Sequence, residues 1–323
     1  MNILFCSAGR RAELLKNFRK SLSAGSKIIA TDMSHYAPAI YFADKHYLVP
    51  AISDPAYLDT IISICQEEKI NAITTLIDPE IEILAKHRQI FEDMGITVLA
   101  PYQETASLCF DKYELFLYLK KHNIPTPDTY GSFDDAEKAI IDGKLTFPVF
   151  VKPRTGSGSV GARKIETLSE LQTACAADPS LIIQELMACT DMDADIYIDT
   201  ISHKPVSLFT KRKLETKIGG ASKTVSFKDN AAVEFICNAL EYFKFNGPID
   251  MDLFYRNGQY YLSEINPRFG GAYLHAYGAG VDFVKLIENN SKGIKNEPFF
   301  NNYENNIVMM MYDSVVIEKI ENE

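Results

Sequence analysis

Phe147-Pro-Val-Phe-Val-Lys152-Pro-Arg-Thr-Gly156-Ser-Gly158-Ser-Val-Gly161-Ala-Arg-Lys-Ile165 is the stretch that decides how the chain folds. It contains G-x-G-x-x-G, the spacing that opens a helix in dinucleotide-binding folds. Here residues 162–165 read as a second strand, so the glycines form a hairpin tip and not a helix entry. No Lys-Ser/Thr follows the last glycine, so it is not the phosphate loop of the P-loop proteins either. A Gly/Ser hairpin can lay backbone N–H groups over phosphates, with Lys152 as a point charge beneath. Lone Gly-rich turns are mostly just turns. A lysine inside an otherwise apolar strand is less ordinary, because burying an unpaired ammonium is costly.

Further on, Tyr261-Leu-Ser-Glu264-Ile-Asn266-Pro267-Arg268 reads as a strand that Pro267 ends. Residues two apart share a face, so Glu264 and Asn266 point the same way. A carboxylate and an amide oxygen side by side are hard ligands suited to Mg2+. Arg268 leaves the strand end with a fork that fits a phosphate or carboxylate. On these residues alone, a merely wet polar face remains an equal alternative. The preceding strand, Ile249-Asp-Met-Asp252-Leu-Phe-Tyr255, joins this one through Arg256-Asn257-Gly258. A two-residue Asn-Gly turn would set Asp252 opposite Ser263 and on the face away from Glu264. A three-residue turn with Gly258 left-handed puts Asp250, Asp252, Glu264 and Asn266 on one face. A joint metal site therefore predicts the three-residue turn.

Residues 1 to about 100 alternate strand and helix. Strands are expected at Ile3–Cys6, Lys27–Ala30, His46–Val49, Ala72–Ile77 and Thr97–Ala100, with helical apolar stripes such as Leu14, Leu15, Phe18 and Leu22 between them. That alternation means a parallel, doubly wound sheet, whose ligands sit at the carboxyl ends of the strands. Gly9, Arg10 and Arg11 follow the first strand, Asp32 the second, and Asp78 and Glu80 the fourth. Gly9 and the arginines suit an anion at a helix N-terminus. Solvated first-turn arginines and a turn-forming Asp32 are the plainer alternative.

Asp111-Lys112 opens a helix after a connector. Leu181-Ile-Ile-Gln184-Glu185-Leu186 is a strand ending in a carboxylate fit for ribose hydroxyls or an adenine edge. Asp195 and Asp199 share a face of the next strand. Lys211-Arg212-Lys213 is a basic cluster just ahead of a flexible loop, Ile218–Lys223. A charge run of this kind is as often solvated surface.

Over 323 residues the chain is 46% hydrophobic and 24% charged, with a net charge of −10. That size holds two or three domains. The acidic balance argues against a nucleic-acid or anionic-membrane partner. Six scattered cysteines without a C-x-x-C pair read as reduced core residues of a cytoplasmic protein. No apolar run approaches the roughly 18 residues of a membrane helix.

In combination and in this order, Val151-Lys152-Pro153, the Gly-rich hairpin, Gln184-Glu185-Leu186 and Glu264-Ile-Asn266-Pro-Arg268 resemble the ATP-grasp superfamily. More narrowly, the chain looks like the short proteins similar to the carbamoyl-phosphate synthase large subunit. The resemblance implies a mixed α/β and α+β fold: a Rossmann-like pre-ATP-grasp domain over 1–105, then a linker and the start of the ATP-grasp domain over 106–146. A lid over 147–187 and a C-terminal antiparallel sheet domain over 188–323 would follow.

By that resemblance ATP would be held by Lys112, Lys152, Gly156, Ser157, Gly158, Ser159, Gln184, Glu185, Leu186 and Asp195. Asp252, Glu264 and Asn266 would bind Mg2+, with Mn2+ as the alternative ion. Arg212 and Arg268 would stabilise the transferred phosphoryl group, and Gly9, Arg10, Arg11, Asp32, Asp78 and Glu80 would hold substrate. Asp195 stands where many such proteins carry Glu, and Asp252 where the synthase has Gln.

The activity implied is phosphorylation of a carboxylate to an acyl phosphate, which an amine then attacks. The partners are small molecules, and a homodimer is common in such proteins. The alternatives are a phosphorylation of bicarbonate or carbamate, and a nucleotide-binding module without catalysis. The form of the first loop disfavours an NAD-dependent dehydrogenase.

Overall fold

The computed structural model describes residues 1–156, 158, 160–217 and 220–319. Five parallel strands, β1 (Asn2–Cys6), β2 (Lys27–Asp32), β3 (Lys45–Leu48), β4 (Ala72–Thr75) and β5 (Thr97–Val98), lie in the order 3-2-1-4-5. Helices α1 (Ala12–Ser21), α2 (Tyr57–Glu67), α3 (Asp78–Lys86) and α4 (Arg88–Asp93) connect them. The order reverses between β1 and β4. Their two exit loops therefore diverge from one point, where such sheets open a crevice. Alternation along β1 divides its side chains. Leu4 and Cys6 pack under α2 and α4, whereas Ile3 and Phe5 join a core continuous with the rest of the chain.

Helices α5 (Gln103–Phe110) and α6 (Lys112–Lys121) cross to a small unit. That unit is a four-stranded sheet of β6 (Thr129–Tyr130), β7 (Val149–Pro153), β8 (Arg163–Ile165) and β9 (Leu181–Glu185), ordered 6-9-7-8, with α7 (Phe133–Ile141) and α8 (Leu168–Ala177). Ala136 and Ala139 of α7 share its core with Val149, Val151 and Ile183. The small sheet thus takes in Thr129–Tyr130 and α7, from the stretch expected to hold the linker and the start of the ATP-grasp domain. A short helix such as α7 has too little apolar surface to stand outside a core.

The third sheet, in the order 14-13-10-11-12-15, contains β10 (Thr190–Ile198), β11 (Pro205–Lys217), β12 (Gly220–Phe227), β13 (Gly247–Arg256), β14 (Gln259–Asn266) and β15 (Val308–Met310). All its pairings are antiparallel. One face (Ala194, Ile196, Met251, Leu262, Ile265) is covered by α6 and α9 (Asn230–Leu240). The other carries Tyr197 and Phe209. It packs on the first sheet through Phe269, Tyr273 and Phe283, the last two beside and within α10 (Leu274–Gly278) and α11 (Phe283–Ser291). Beyond this apolar zone the same face becomes acidic and basic, and the lid lies over it. Of the loop expected at Ile218–Lys223, Ile218 and Gly219 lie outside the described residues; Gly220 to Lys223 open β12. No helix among the described residues is long and apolar enough to cross a membrane.

Candidate active site

The floor of the site is the hairpin of β13 and β14. Its turn is not the three-residue turn expected. Asn257 (φ 53°) and Gly258 (φ 84°) are both left-handed, and Arg256 pairs with Gln259, which makes a two-residue Asn-Gly turn. Carried up the strands, that register would oppose Asp252 to Ser263. Instead Leu253 pairs with Leu262 and Asp252 with Glu264, so Ser263 is an extra, unpaired residue. The bulge shifts parity by one. It turns Glu264 and Asn266 to the face of Asp250 and Asp252, where the Asn266 amide lies 3.3 Å from Asp252 Oδ2 and 3.4 Å from Asp250 Oδ2.

Two lysines stand over this floor. Lys152 of β7 is 8% exposed, and burial lowers its pKa against the opposing charge of Glu264. Its Nζ is 3.8 Å from Glu264 Oε2, and Lys112 Nζ, at the start of α6, is 3.9 Å from Glu264 Oε1. Both separations exceed a hydrogen bond, so the carboxylate is flanked by two ammonium groups but clasped by neither. Lys112 Nζ also donates to Gly156 O at 2.6 Å. Gly156 (φ 100°) and Gly158 (φ 72°) adopt a conformation that side-chain-bearing residues avoid. Ser157 and Ser159 lie outside the described residues. A cleft bounded by Asp78, Cys109, Lys112, Gly156, Glu264 and Asn266 opens beside these groups.

Arg212 does not join them. In β11, Lys211 lies opposite Asp193, whereas Arg212 lies opposite Met192, a core residue of the other face. Arg212 is exposed there beside the Phe227 ring. Alternation splits the basic run, and its inward members are Lys211 and Lys213. Lys213 Nζ contacts Asp252 and lies 3.0 Å from Asp191. The pleat carries the signal for Lys213, two residues from Lys211 on one face, but a linear charge run hides it.

Asp195, expected at the nucleotide, is buried on the same face of the sheet, opposite Asp250, and paired with Lys211, which also lies 3.0 Å from Asp193. Burial pushes the Asp195 carboxyl up to about 6, opposed by Lys211. Burial and the charge of Asp193 raise Asp250 well above the carboxylate range. For Asp193 burial acts upward, but Lys211, Asp250 and Lys213 together bring its carboxyl below the ordinary value.

At the junction of lid and large sheet, Glu185 accepts from the Asp128 amide at 3.1 Å and from Arg256 Nη1 at 2.8 Å. Arg256 was not foreseen. Leu186 follows, half-buried. Gln184 turns the other way, into the lid sheet, where its amide donates to Thr129 Oγ1 at 2.8 Å. Strand alternation sends neighbours 184 and 185 to opposite faces, so both side chains cannot meet one ligand.

The strand-end candidates of the first sheet are mostly engaged within the protein. Gly9 N donates to Asp32 Oδ2 at 2.9 Å and Ser34 N to Asp32 Oδ1 at 3.0 Å, so Asp32 ties its own loops together. Arg11 donates to the carbonyls of Phe269 (3.3 Å) and Gly270 (2.7 Å). Burial, with Arg268 alongside, lowers its pKa to about 10. Arg268, expected to face a phosphoryl group, is forked onto Asp78 (Nε–Oδ1 2.6 Å, Nη2–Oδ2 3.1 Å). Glu80 is fully buried and bonded to Tyr57 and Thr75. As the exit loops of β1 and β4 close against the end of β14, charged groups leaving water there need mutual partners. Arg10 alone of the six is an exposed cation.

For a divalent metal, Asp252, Glu264 and Asn266 offer three oxygen-bearing side chains on one face. Two of them are carboxylates, the donor chemistry magnesium takes. Among the described residues no three His, Cys, Asp or Glu side chains converge as a complete cage. The third donor is the Asn266 amide, and the remaining positions suit water and phosphate oxygens. The set fits.

A family profile described as "ATP-grasp domain" matches residues 109–272, and one described as "PylC-like, N-terminal domain" matches residues 3–99. A phosphoribosylamine–glycine ligase of Fusobacterium nucleatum subsp. nucleatum is 26% identical over 300 residues, covering 84% of this chain and 68% of that protein. A D-alanine–D-alanine ligase A of Bacillus cereus is 28% identical over 151 residues, 42% of this chain and 50% of the ligase. The biotin carboxylase domain dimer of Hydrogenobacter thermophilus 2-oxoglutarate carboxylase, solved with MgADP and bicarbonate, superposes with a TM-score of 0.73 at 17% identity. The match covers 95% of this chain and 73% of that one, and it shows a shared fold.

Proposed function

The chain belongs to the ATP-grasp family, and on that premise we propose that it is an ADP-forming ligase activating a carboxylate as an acyl phosphate for attack by an amine. The observation that carries this is Glu264, set opposite Asp252 on the floor and flanked at 3.8 and 3.9 Å by Lys152 and Lys112. Phosphoryl transfer needs positioning and charge neutralisation more than covalent help. The two lysines bind and orient the nucleotide phosphates. Asp252, Glu264 and Asn266 would hold magnesium, which when bound would neutralise phosphate charge. Lys213, which contacts Asp252, takes the place first given to Arg212. The Gly-rich hairpin shields an acyl phosphate from water. Glycine and D-alanine ligases among the relatives support a small carboxylate and a small amine as substrates. Six free cysteines suit a cytoplasmic setting, and a homodimer is the expected assembly.

Calorimetric titration with MgADP, followed by an ADP-release screen over paired carboxylates and amines, tests this. Lys152→Ala is expected to weaken nucleotide binding strongly, and Glu264→Ala to abolish magnesium-dependent turnover with the fold intact. Unchanged turnover in either variant overturns the assignment. A second reading, phosphorylation of bicarbonate or carbamate as in carbamoyl-phosphate synthesis, is favoured by the bicarbonate in the Hydrogenobacter structure. ADP release that needs bicarbonate and no organic acid selects it. MgADP binding without ADP release in any mixture selects a non-catalytic module.

A further inference from the structure

Lys112 and Lys152 reach Glu264 from different units, one from the first turn of α6 and one from a lid strand. A pair of charges can cradle phosphates only if the separation between its two mounts is held, because a shift of about 1 Å in a binding group is costly. The contacts that hold it converge on Arg154, two residues beyond Lys152. Its main chain is tied to both sides: Arg154 N donates to Ser180 O within the lid, and Lys112 N donates to Arg154 O, both at 3.0 Å. Its side chain turns back onto α6. Nε lies 2.8 and 2.7 Å from the two oxygens of Asp111, and Nη2 lies 2.9 Å from Glu114. Asp111 is at the same time the N-cap of α6, accepting from the amides of Tyr113 and Glu114. The guanidinium also lies over the Tyr113 ring, 5.4 Å from its centroid. That ring in turn presses on Gly131 at the other end of the lid sheet, where a Cβ would meet it at 2.6 Å. The first turn of α6 is thus wedged against both ends of the lid. Lys112 is joined to the segment 154–156 by its main chain and, through Gly156 O, by its side chain.

We propose that Arg154 is a positioning residue that clamps the lid base onto the cap of α6, so that Lys112 and Lys152 meet the nucleotide phosphates as a pair. This rests on the nucleotide reading of the site. The clamp is partly exposed, with 39% of the Arg154 side chain in solvent. Pairs so exposed contribute little to global stability, so removing it leaves a folded protein whose two mounts have lost their fixed spacing.

The test is a double-mutant cycle on MgADP affinity, measured by calorimetry on the full chain. Arg154→Ala is expected to raise Kd about tenfold, and Arg154→Lys, which keeps the charge but not the fork, about threefold. Lys112→Ala raises it at least as far as Arg154→Ala. If Arg154 acts through Lys112, adding Arg154→Ala to Lys112→Ala changes Kd by less than about twofold, because the interaction is already gone. An Arg154→Ala Kd within twofold of wild type, or single effects that simply multiply in the double variant, overturns the proposal. The lysine variant supplies the same comparison if the alanine variant does not fold. Absence of MgADP binding by the wild-type protein overturns the nucleotide site itself, a distinguishable failure.

Discussion

Asp252 and Glu264 face each other across β13 and β14 because Ser263 bulges out of the ladder between Leu262 and Glu264. The Asn257-Gly258 turn alone would have sent Glu264 to the apolar face beneath α6, where a carboxylate could not stay charged without a partner. The bulge lets a tight turn and a polar floor coexist on one hairpin.

That geometry predicts an unusual tolerance. Deleting Ser263 removes only the extra residue, leaving Leu262 on the apolar face and Glu264 opposite Asp252, so MgADP affinity should stay within about tenfold of wild type. Deleting Ile265 makes Glu264 and Asn266 neighbours, which forces them to opposite faces, and binding should be lost. Calorimetry on the two variants checks this; the reverse ranking contradicts the register.

The split of the basic run gives a second prediction. Arg212→Ala, on the outer face beside Phe227, should change turnover by less than about twofold, within the small effect expected of an exposed substitution. Lys213→Met leaves Asp191 and Asp252 without their shared cation and should cost at least about a hundredfold in kcat/KM, the scale of a lost electrostatic contact at a reacting centre. Steady-state kinetics on the pair decides it. Equal losses would mean that β11 is not aligned as Asp193↔Lys211.

Local pattern is legible in the sequence, whereas the face taken by a single residue and its distant partners are not. Period-2 and period-3.6 patterns place the parallel sheet and the strands of the small sheet, and motif residues such as Lys152 and Glu264 come to face one another at 3.8 Å, because local patterns report local structure. Parity errors arise where one residue decides a face: a bulge at Ser263, or Arg212 between two inward lysines. Long-range pairings leave no local trace. Arg11 bonds to the carbonyl of Gly270 and Arg268 to Asp78, and in the sequence these are free arginines and free acids awaiting a ligand. Arg256 beside Glu185 and the buried charge of Asp193 beside Asp250 belong to the same class.

The Arg268–Asp78 fork joins the two large sheets with both side chains mostly buried, 15% and 13% exposed. Removing one partner strands a charge, so Asp78→Leu or Arg268→Met alone should destabilise the protein by about 3 kcal/mol. The double variant replaces the pair with apolar groups and should recover most of that loss while remaining inactive. Urea midpoints and ADP release measured together separate the two consequences. Full stability in the single variants would show that the fork does not bind the sheets together.

Glu80 makes the last prediction, one of pH. Burial raises its carboxyl to about 7, with Asp32 adding to the rise and hydrogen bonds from Ser7 and Cys6 opposing it. In the unfolded chain it titrates near the ordinary glutamate value of about 4.3. Between these two values the folded state keeps a proton that the unfolded state has released, so stability falls as pH rises, by about 1.4 kcal/mol per unit for this group. Below the window both states are protonated, above it both are ionised, and the slope vanishes. Glu80→Gln stays neutral throughout; its amide oxygen can accept from one of the Tyr57 and Thr75 hydroxyls while its N–H donates to the other. The stability of the wild type relative to Glu80→Gln, read from urea unfolding at closely spaced pH values, should therefore decline from about pH 4.5 to about pH 7 and then level off. A flat difference across that window would mean that Glu80 is ionised inside the fold.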